Sequence, residues 1–262
     1  MSKKQIIIAV DVGNTETLFG VFVDSKMVDS FRLSTDPTRT TDELIALVGQ
    51  LAYRNGQIER GAQPDGVIIA SVVPTMHEQL ANMSQKMFGR VPLFVEPGVK
   101  TGIPIRNLNP TEVGADRIVN AVAAVEKYGA PVVVVDFGTA TTFDVINARG
   151  EYIGGLILPG IGISAEALFS SASRLYRVDI RRPDRLIGRT TEGAMQSGIY
   201  YGAISQVDGI LGRLLEQLAE RPRFVATGGL APLIAPDSAY LDEVNPQLTL
   251  DGLFILYHRN QD

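Results

Sequence analysis

The stretch IIIAVDVGNTETLFGVF, Ile6–Phe22, sets one apolar run against another with a short polar turn between them. The turn holds a carboxylate, a glycine and small polar side chains: Asp11, Gly13, Asn14, Thr15 and Thr17. Further along, VVVVDFGTATTFDVI, Val132–Ile146, has the same shape: apolar run, Asp136, Gly138, hydroxyls, apolar run. Runs rich in Val, Ile and Phe bounded by such residues read as strands, so each stretch is a hairpin. The two hairpins lie nearly half a chain apart. The economical architecture is an internal duplication of a strand-rich α/β unit, with a cleft between the halves.

The flanking pattern agrees. Lys26–Leu33 reads as a third antiparallel strand after Gln5–Val10 and Leu18–Val23. Thr40 with Glu43 forms a capping box ahead of Leu44, Leu47, Val48 and Leu51 at helical spacing, and Gly56 would stop that helix. Gly66–Ala70 and Val91–Val95 read as strands around a helix opened by Pro74, whose Met76, Leu80, Met83 and Met87 form a core stripe. The passage Glu96–Arg117 reads as a loop leading into a helix that carries Ala115, Ile118, Val122 and Val125. The pattern then restarts, with strands Val132–Val135, Thr142–Ile146 and Tyr152–Leu158. Helices follow near Ser164–Leu175 and Thr191–Glu220, then a strand at Phe224–Ala226 and a closing helix after Pro246. The expected division is 1–117 and 118–262.

The chain has 262 residues, 45% hydrophobic and 20% charged, with a net charge of −5 and no cysteine. That balance gives no support to a nucleic-acid binder, which would show a basic face. Without cysteine there are no disulfides, thiolate nucleophiles or Cys-based metal sites. Asp11 cuts the first apolar run too short for a signal peptide, and no apolar segment is long enough to span a bilayer. The expectation is a soluble cytoplasmic protein.

The hairpin turns have a chemical reading. A glycine in a tight turn lets the backbone approach a ligand, and successive N–H groups can cradle phosphate oxygens. Asn14, Thr15 and Thr17 add donors without bulk. Carboxylates beside phosphate make sense if a divalent cation, or a water on it, sits between. Asp11 and Asp136 would then form a metal–phosphate clamp. Either turn alone reads equally well as an ordinary hairpin. A third glycine signal, VATGGLA (Val225–Ala231), could lay backbone against an adenine or ribose, or be a plain strand–helix turn. The Walker, Rossmann and protein-kinase signatures are missing.

These segments carry a resemblance. DVGNTET, VKTGI, NPTEVGADR, DFGTATTFDVI, GGLILPGI, TTEGAMQSG and VATGGLA occur in the order found in type III pantothenate kinases, across nearly the whole chain. That family belongs to the actin/Hsp70/sugar-kinase superfamily of duplicated ribonuclease-H-like domains. The resemblance implies transfer of the ATP γ-phosphate to pantothenate, the first step of coenzyme A synthesis. It also implies Mg²⁺, a monovalent cation (K⁺ or NH₄⁺) and a homodimer. By similarity the loop Asp11, Val12, Gly13, Asn14, Thr15, Glu16, Thr17 and Leu18 holds ATP phosphates, with Thr139 from the second turn. Asp136 resembles the monovalent-cation ligand. Gly114, Ala115, Asp116 and Arg117 match the pantothenate segment, with Thr191 a further substrate contact. Thr191 could equally be a helix N-cap.

Asp116 reads two ways from spacing. An acid in the first turn of a helix is stabilised by the dipole, by a few tenths to ~1 kcal/mol. It is also the carboxylate left over once Asp11 and Asp136 serve the clamp. The resemblance implies the second role, proton acceptor, and gives Arg117 a bidentate contact to the pantothenate carboxylate. His77 and His258 read as surface or structural residues. Two positions depart from the family pattern: Asn107, where an aromatic residue near substrate is common, and Glu16, where Asn is common. Asn107 motivates the rival reading of a same-fold kinase for another small alcohol. A non-catalytic nucleotide-binding regulator is the other alternative. The segment Ser173–Arg189 carries six arginines in an acidic chain, either as a solvated loop or as a positive rim. Gly198 and Gly202 permit close helix packing, within one chain or across a dimer seam.

Overall fold

The computed structural model describes residues 4–54, 61 and 63–261. The expected stop at Gly56 lies outside the described residues. The chain forms two compact units, each with its own five-stranded sheet. Unit 1 comprises 1–102, 109–123 and 249–262; unit 2 comprises 103–108 and 124–248. The closing helix therefore belongs with the first unit, and a short piece before the GADR segment belongs with the second.

In unit 1, β1 (Ile6–Val12), β2 (Glu16–Val23) and β3 (Lys26–Ser34) are consecutive antiparallel strands, while β4 (Gly66–Ser71) and β5 (Leu93–Phe94) run parallel on the other side of β1. The sheet order is β3-β2-β1-β4-β5. Alternation along β1 divides its side chains: Ile8, Val10 and Val12 join the core under helices α1 (Thr41–Ala52) and α2 (His77–Phe88). The capping box at α1 is formed, since Thr40 N–H donates to Glu43 Oε2 at 2.7 Å and Glu43 N–H donates to Thr40 Oγ1 at 3.3 Å. Met76, Leu80 and Met83 are fully buried in that core, and each such apolar side chain contributes about 1.5–3 kcal/mol.

The other face of the sheet is covered by α7 (Leu248–Arg259), with α3 (Ala115–Tyr128) packed beside it. Glycines make this packing close. Tyr257 lies over Gly66, Leu250 over Gly20, and Phe22 stacks on Phe254 at 4.6 Å. Both histidines are packed against rings: His77 stacks on Phe94 at 4.7 Å, and His258 meets Phe254 edge-on at 4.5 Å.

Unit 2 repeats the plan. Strands β6 (Val132–Phe137), β7 (Ala140–Ile146) and β8 (Tyr152–Pro159) are antiparallel, β9 (Arg223–Thr227) is parallel to β6, and β10 (Glu243–Val244) to β9. The order β8-β7-β6-β9-β10 is the unit 1 order with each strand replaced by the one five later. The duplication seen in two hairpins thus extends to the whole sheet. Helices α4 (Ile161–Ser171), α5 (Thr191–Gln217) and the short α6 (Ala231–Ile234) contribute to the core on one face. Helix α4 starts three residues before the expected Ser164, because Gly160 caps it directly after β8 and Ser164 N–H donates to the Gly160 carbonyl at 2.9 Å. It ends at Ser171, where Ala172 turns extended.

A β-carbon on Gly252 would lie 2.3 Å from the Val119 carbonyl oxygen, which is backbone and cannot step aside. Gly252→Ala should force α7 away from α3 and destabilise the protein by about 1–3 kcal/mol. A urea titration would show this as a lower midpoint at unchanged slope.

Candidate functional site

Asp11 is the penultimate residue of β1, its backbone held by Leu18 on β2 and Ala70 on β4. The turn after it is cross-braced. Gly13 N–H donates to the Glu16 carbonyl at 3.0 Å, and Thr35 N–H donates to the Thr15 carbonyl at 2.9 Å. Thr35 Oγ1 donates to the Gly13 carbonyl at 2.7 Å and lies 2.9 Å from Thr17 Oγ1. Thr35, just beyond β3, is thus the brace of this turn. Nothing local marks it, because its partners lie about twenty positions upstream. Val12 and Thr17 are buried and Leu18 is half-buried, whereas Asn14, Thr15 and Glu16 are exposed. The carboxylate of Glu16 is held by Arg32 on β3 at 2.9 Å.

Asp136 occupies the equivalent place on β6, between Thr142 on β7 and Thr227 on β9. Its turn closes with Gly138 N–H donating to the Ala140 carbonyl at 3.1 Å, leaving Gly138 and Thr139 exposed. Two further glycines press against it. A β-carbon on Gly160 would sit 2.2 Å from the Thr139 carbonyl oxygen. One on Gly228, where φ is +89°, would sit 2.4 Å from Asp136 Oδ1. So the VATGGLA glycines have distinct surroundings: Gly228 makes room for the Asp136 carboxylate, while Gly229 faces open space.

Gly114, Ala115, Asp116 and Arg117 form the entry to α3. The Gly114 carbonyl accepts from Arg117 N–H at 3.1 Å and from Ile118 N–H at 3.2 Å, which starts the helix. Asp116 Oδ1 accepts from Arg117 N–H at 2.9 Å and reaches back over Gly114, where a β-carbon would stand 2.5 Å away. Burial pushes the Asp116 pKa up, against the opposing pull of the Arg117 N–H and guanidinium. Ionised Asp116 therefore costs stability. Its contribution is present below the ordinary carboxylate range and is lost as pH rises through the raised folded value.

Asn107 belongs to the short piece 103–108 carried by unit 2. Arg106 N–H donates to the Tyr152 carbonyl at 2.8 Å, and Tyr152 N–H donates to the Pro104 carbonyl at 2.9 Å. Asn107 Oδ1 comes within 3.7 Å of where a β-carbon on Gly154 would be. The anchor is Glu151, which accepts from Arg106 Nε at 3.0 Å, Asn147 Nδ2 at 2.8 Å and Arg149 Nε at 2.8 Å. Those hydrogen bonds, from Asn147 first and then the two arginines, hold its pKa down to about 2. Beneath it, the buried Tyr152 hydroxyl donates to the buried Asp144 carboxylate at 2.8 Å. Sequence reading missed this cluster, whose members are scattered from Arg106 to Tyr152.

Thr191 is the first residue of α5 and is exposed. Its alternative as an N-cap is overturned: Thr190 is the cap, with Oγ1 accepting from Gly193 N–H at 3.0 Å. The preceding residue is the extended one, and only its side chain can reach back to the first turn.

Among the described residues no group of three or more His, Cys, Asp or Glu comes together to hold a metal ion. Asp11 and Asp136 each offer a single strand-end carboxylate beside exposed turn backbone. Mg²⁺ is commonly held by one or two carboxylates, substrate phosphates and water, so either carboxylate taken singly fits a cation that arrives with a nucleotide. The Gly228 space that admits the Asp136 carboxylate supports the same reading.

Comparison with known proteins agrees with this picture. The family profile described as type III pantothenate kinase matches residues 7–213. A protein of Koribacter versatilis named type III pantothenate kinase is 50% identical, covering 98% of this chain and 96% of its own. One of Moorella thermoacetica, of the same name, is 51% identical, covering 97% and 100%. Two solved structures are similar in fold. MreB 5 of Spiroplasma citri bound to AMPPNP has a TM-score of 0.57 at 12% identity, covering 98% of this chain and 97% of that one. The activator of 2-hydroxyisocaproyl-CoA dehydratase from Clostridium difficile with bound ADPNP has a TM-score of 0.55 at 11% identity, covering 98% and 95%. With the duplicated sheets, these identify an actin-like ATPase fold. On the profile match and the near-full-length identities, the chain belongs to the type III pantothenate kinase family.

Proposed function

We infer that the protein transfers the γ-phosphoryl group of ATP to the hydroxyl of pantothenate, forming 4′-phosphopantothenate in the first step of coenzyme A synthesis. The observation that carries the mechanism is Asp116, a carboxylate at a helix entry whose proton affinity is raised by burial. In the reaction the pantothenate oxygen forms a bond to the γ-phosphorus, the bond from that phosphorus to the bridging oxygen of ADP breaks, and the hydroxyl proton passes to Asp116 Oδ. Phosphoryl transfer asks the protein mainly for alignment and charge stabilisation, with a base that accepts the proton late. Asp11–Leu18 and Thr139 supply turn backbone and hydroxyls to the phosphates. Gly229 offers bare backbone for the nucleoside. Gly114–Arg117, Asn107 and Thr191 bind pantothenate, with the Arg117 guanidinium on its carboxylate.

Asp11 would hold Mg²⁺ and Asp136 the monovalent cation, K⁺ or NH₄⁺. Bound there, the ions neutralise phosphate charge. A homodimer is part of the reading. Cβ atoms at Gly198 and Gly202 of α5 would meet nothing within 4 Å among the described residues, so packing within those residues does not call for glycine there. A cytoplasmic location is proposed as well. No helix among the described residues is long and apolar enough to cross a membrane.

The direct test is phosphorylation of pantothenate by purified protein with ATP and Mg²⁺, with and without K⁺. Product that needs ATP and rises with K⁺ is expected. ATP binding without product would redirect the search to other small alcohols, because Asn107 stands where the family often has an aromatic residue.

Asp116→Asn should lower kcat by about 10²- to 10⁴-fold while ATP affinity stays close to wild type. Because the variant removes a charge that burial disfavours, its thermal midpoint at pH 7 should be no lower than wild type. Equal loss of ATP binding would show that Asp116 serves the nucleotide instead. In wild type, kcat/KM should fall as pH drops through the raised Asp116 pKa, above the ordinary value of 3.8.

Glu151→Gln keeps the shape but weakens the grip on Arg106. Its pantothenate KM should rise while its ATP KM holds, in steady-state measurements with each substrate varied. A matched rise in both would mean that the 103–108 piece does not act through pantothenate.

A further inference from the structure

The arginine-rich segment before α5 has no role in the reaction as proposed, and it borders an open cavity of about 240 Å³. The wall is built by close backbone contact. A β-carbon on Gly188 would lie 2.2 Å from the Ala194 nitrogen, so the segment folds directly onto the first turn of α5. Ser197 Oγ donates to the Leu186 carbonyl and holds it there. Buried Gln196 lines the cavity, its amide nitrogen 3.3 Å from the Asp179 carbonyl oxygen.

Arg181, Arg182, Arg185 and Arg189 line this space, against one acid, Asp184. Two of the four are tied from outside it. Arg182 meets Asp237 with Nε and Nη2, each at 2.8 Å, and Asp237 is itself fixed by the Tyr200 hydroxyl at 2.9 Å. Arg181 is 3.7 Å from Glu192. Arg185 and Arg189 have no ion-pair partner among the described residues. A protein of net charge −5 thus gathers four guanidiniums around one cavity, two of them without an ion-pair partner among the described residues.

We propose that this cavity is a second anion site, for a phosphate-bearing ligand. Guanidinium forks match phosphate oxygens in pairs, and a phosphate offers enough acceptors for more than one fork, whereas a single carboxylate satisfies one. The volume is below the roughly 300–1,000 Å³ of pockets that enclose whole drug-sized ligands. It therefore suits inorganic phosphate, diphosphate or the phosphate end of a larger molecule, not an entire nucleotide. The lining shares no residue with those assigned to ATP or pantothenate, and the proposal does not depend on that assignment.

The test is calorimetric titration with inorganic phosphate, inorganic diphosphate, phenyl phosphate and acetate, each on protein saturated with a non-hydrolysable ATP analogue so that the nucleotide loops are occupied. Phosphates should bind, acetate should not, and Arg185→Gln/Arg189→Gln should weaken binding by about tenfold to a hundredfold. Arg185→Lys/Arg189→Lys should weaken it too, because charge without the fork is insufficient. Tighter binding of phenyl phosphate than of the inorganic ions would assign the site to the end of an organic ligand; the reverse would assign it to the free ion. Absence of phosphate binding, equal affinity in the folded Gln variant, or equal binding of acetate would overturn the proposal. Pantothenate phosphorylation in the same Gln variant, without added phosphate, should match wild type. If it falls, the arginines belong to the substrate path and the separate site is refuted. If wild type phosphorylates no pantothenate but binds phosphate as described, only the kinase reading fails.

Discussion

A strand buried on both faces cannot carry a charge along its length, because an unpaired carboxylate in a low-dielectric interior costs several kcal/mol or changes its protonation. Strands β1 and β6 are such strands. Ile7–Val10 and Val132–Val135 are completely or almost completely buried, and each strand is flanked by an antiparallel and a parallel neighbour. An acid is tolerated only near the strand end, and Asp11 and Asp136, each one residue before its strand ends, are half-buried there. The turns beyond them are tight for the same reason. A returning strand paired in register from Asp11 with Leu18, or Asp136 with Thr142, leaves only a few residues to reverse the chain, and Asn14, Thr15, Glu16, Gly138 and Thr139 among them are exposed. Strand burial thus places an acid beside an exposed turn twice in one chain.

The helix entry at Asp116 solves a different problem with the same materials. Its carboxylate is partly withdrawn from water, which raises proton affinity, yet it accepts the Arg117 N–H and stands at the positive end of α3. Burial wins, so the group retains an appetite for a proton that an exposed acid would lack. The opposite case is Glu151, held near pKa 2 by Asn147, Arg149 and Arg106, and fit only to fasten. Two acids whose environments push their proton affinities apart are suited to two kinds of work, the proposed one at Asp116 chemical and the one at Glu151 structural.

What was legible in the sequence was local. The hairpins, the Thr40–Glu43 box, the methionine stripe and the restart at Val132 each rest on residues within a few positions of one another, and all appear in the structure. What was not legible depends on contacts between distant segments. Thr35 bracing the first turn and Arg106 meeting Glu151 leave no periodic trace. The short strand β10 is two residues long, too brief for alternation to register. Thr190 and Thr191 are adjacent hydroxyls of equal capping propensity, and only the extended backbone at Thr190 decides between them. The return of α7 to unit 1 is set by glycines at Gly66 and Gly252, whose role is visible only once the opposing Tyr257 and Val119 are in place.

The same non-local contacts bear on the two departures from the family pattern. If the first turn binds phosphate as proposed, a glutamate whose charge stood free would repel the ligand there. Glu16 instead lies 2.9 Å from Arg32 on the neighbouring strand, and an opposite charge at that distance cancels most of its field at longer range. The pair is exposed and contributes little to stability, so its consequence is electrostatic and not structural. At Asn107 the expected aromatic ring would bring apolar area that an amide lacks, and the backbone that carries the residue is fastened by Arg106, Pro104 and the Glu151 cluster. An amide there offers a donor and an acceptor where a ring would offer a face. If Asn107 faces the acceptor as proposed, that donor and acceptor would meet the amide and hydroxyls of pantothenate.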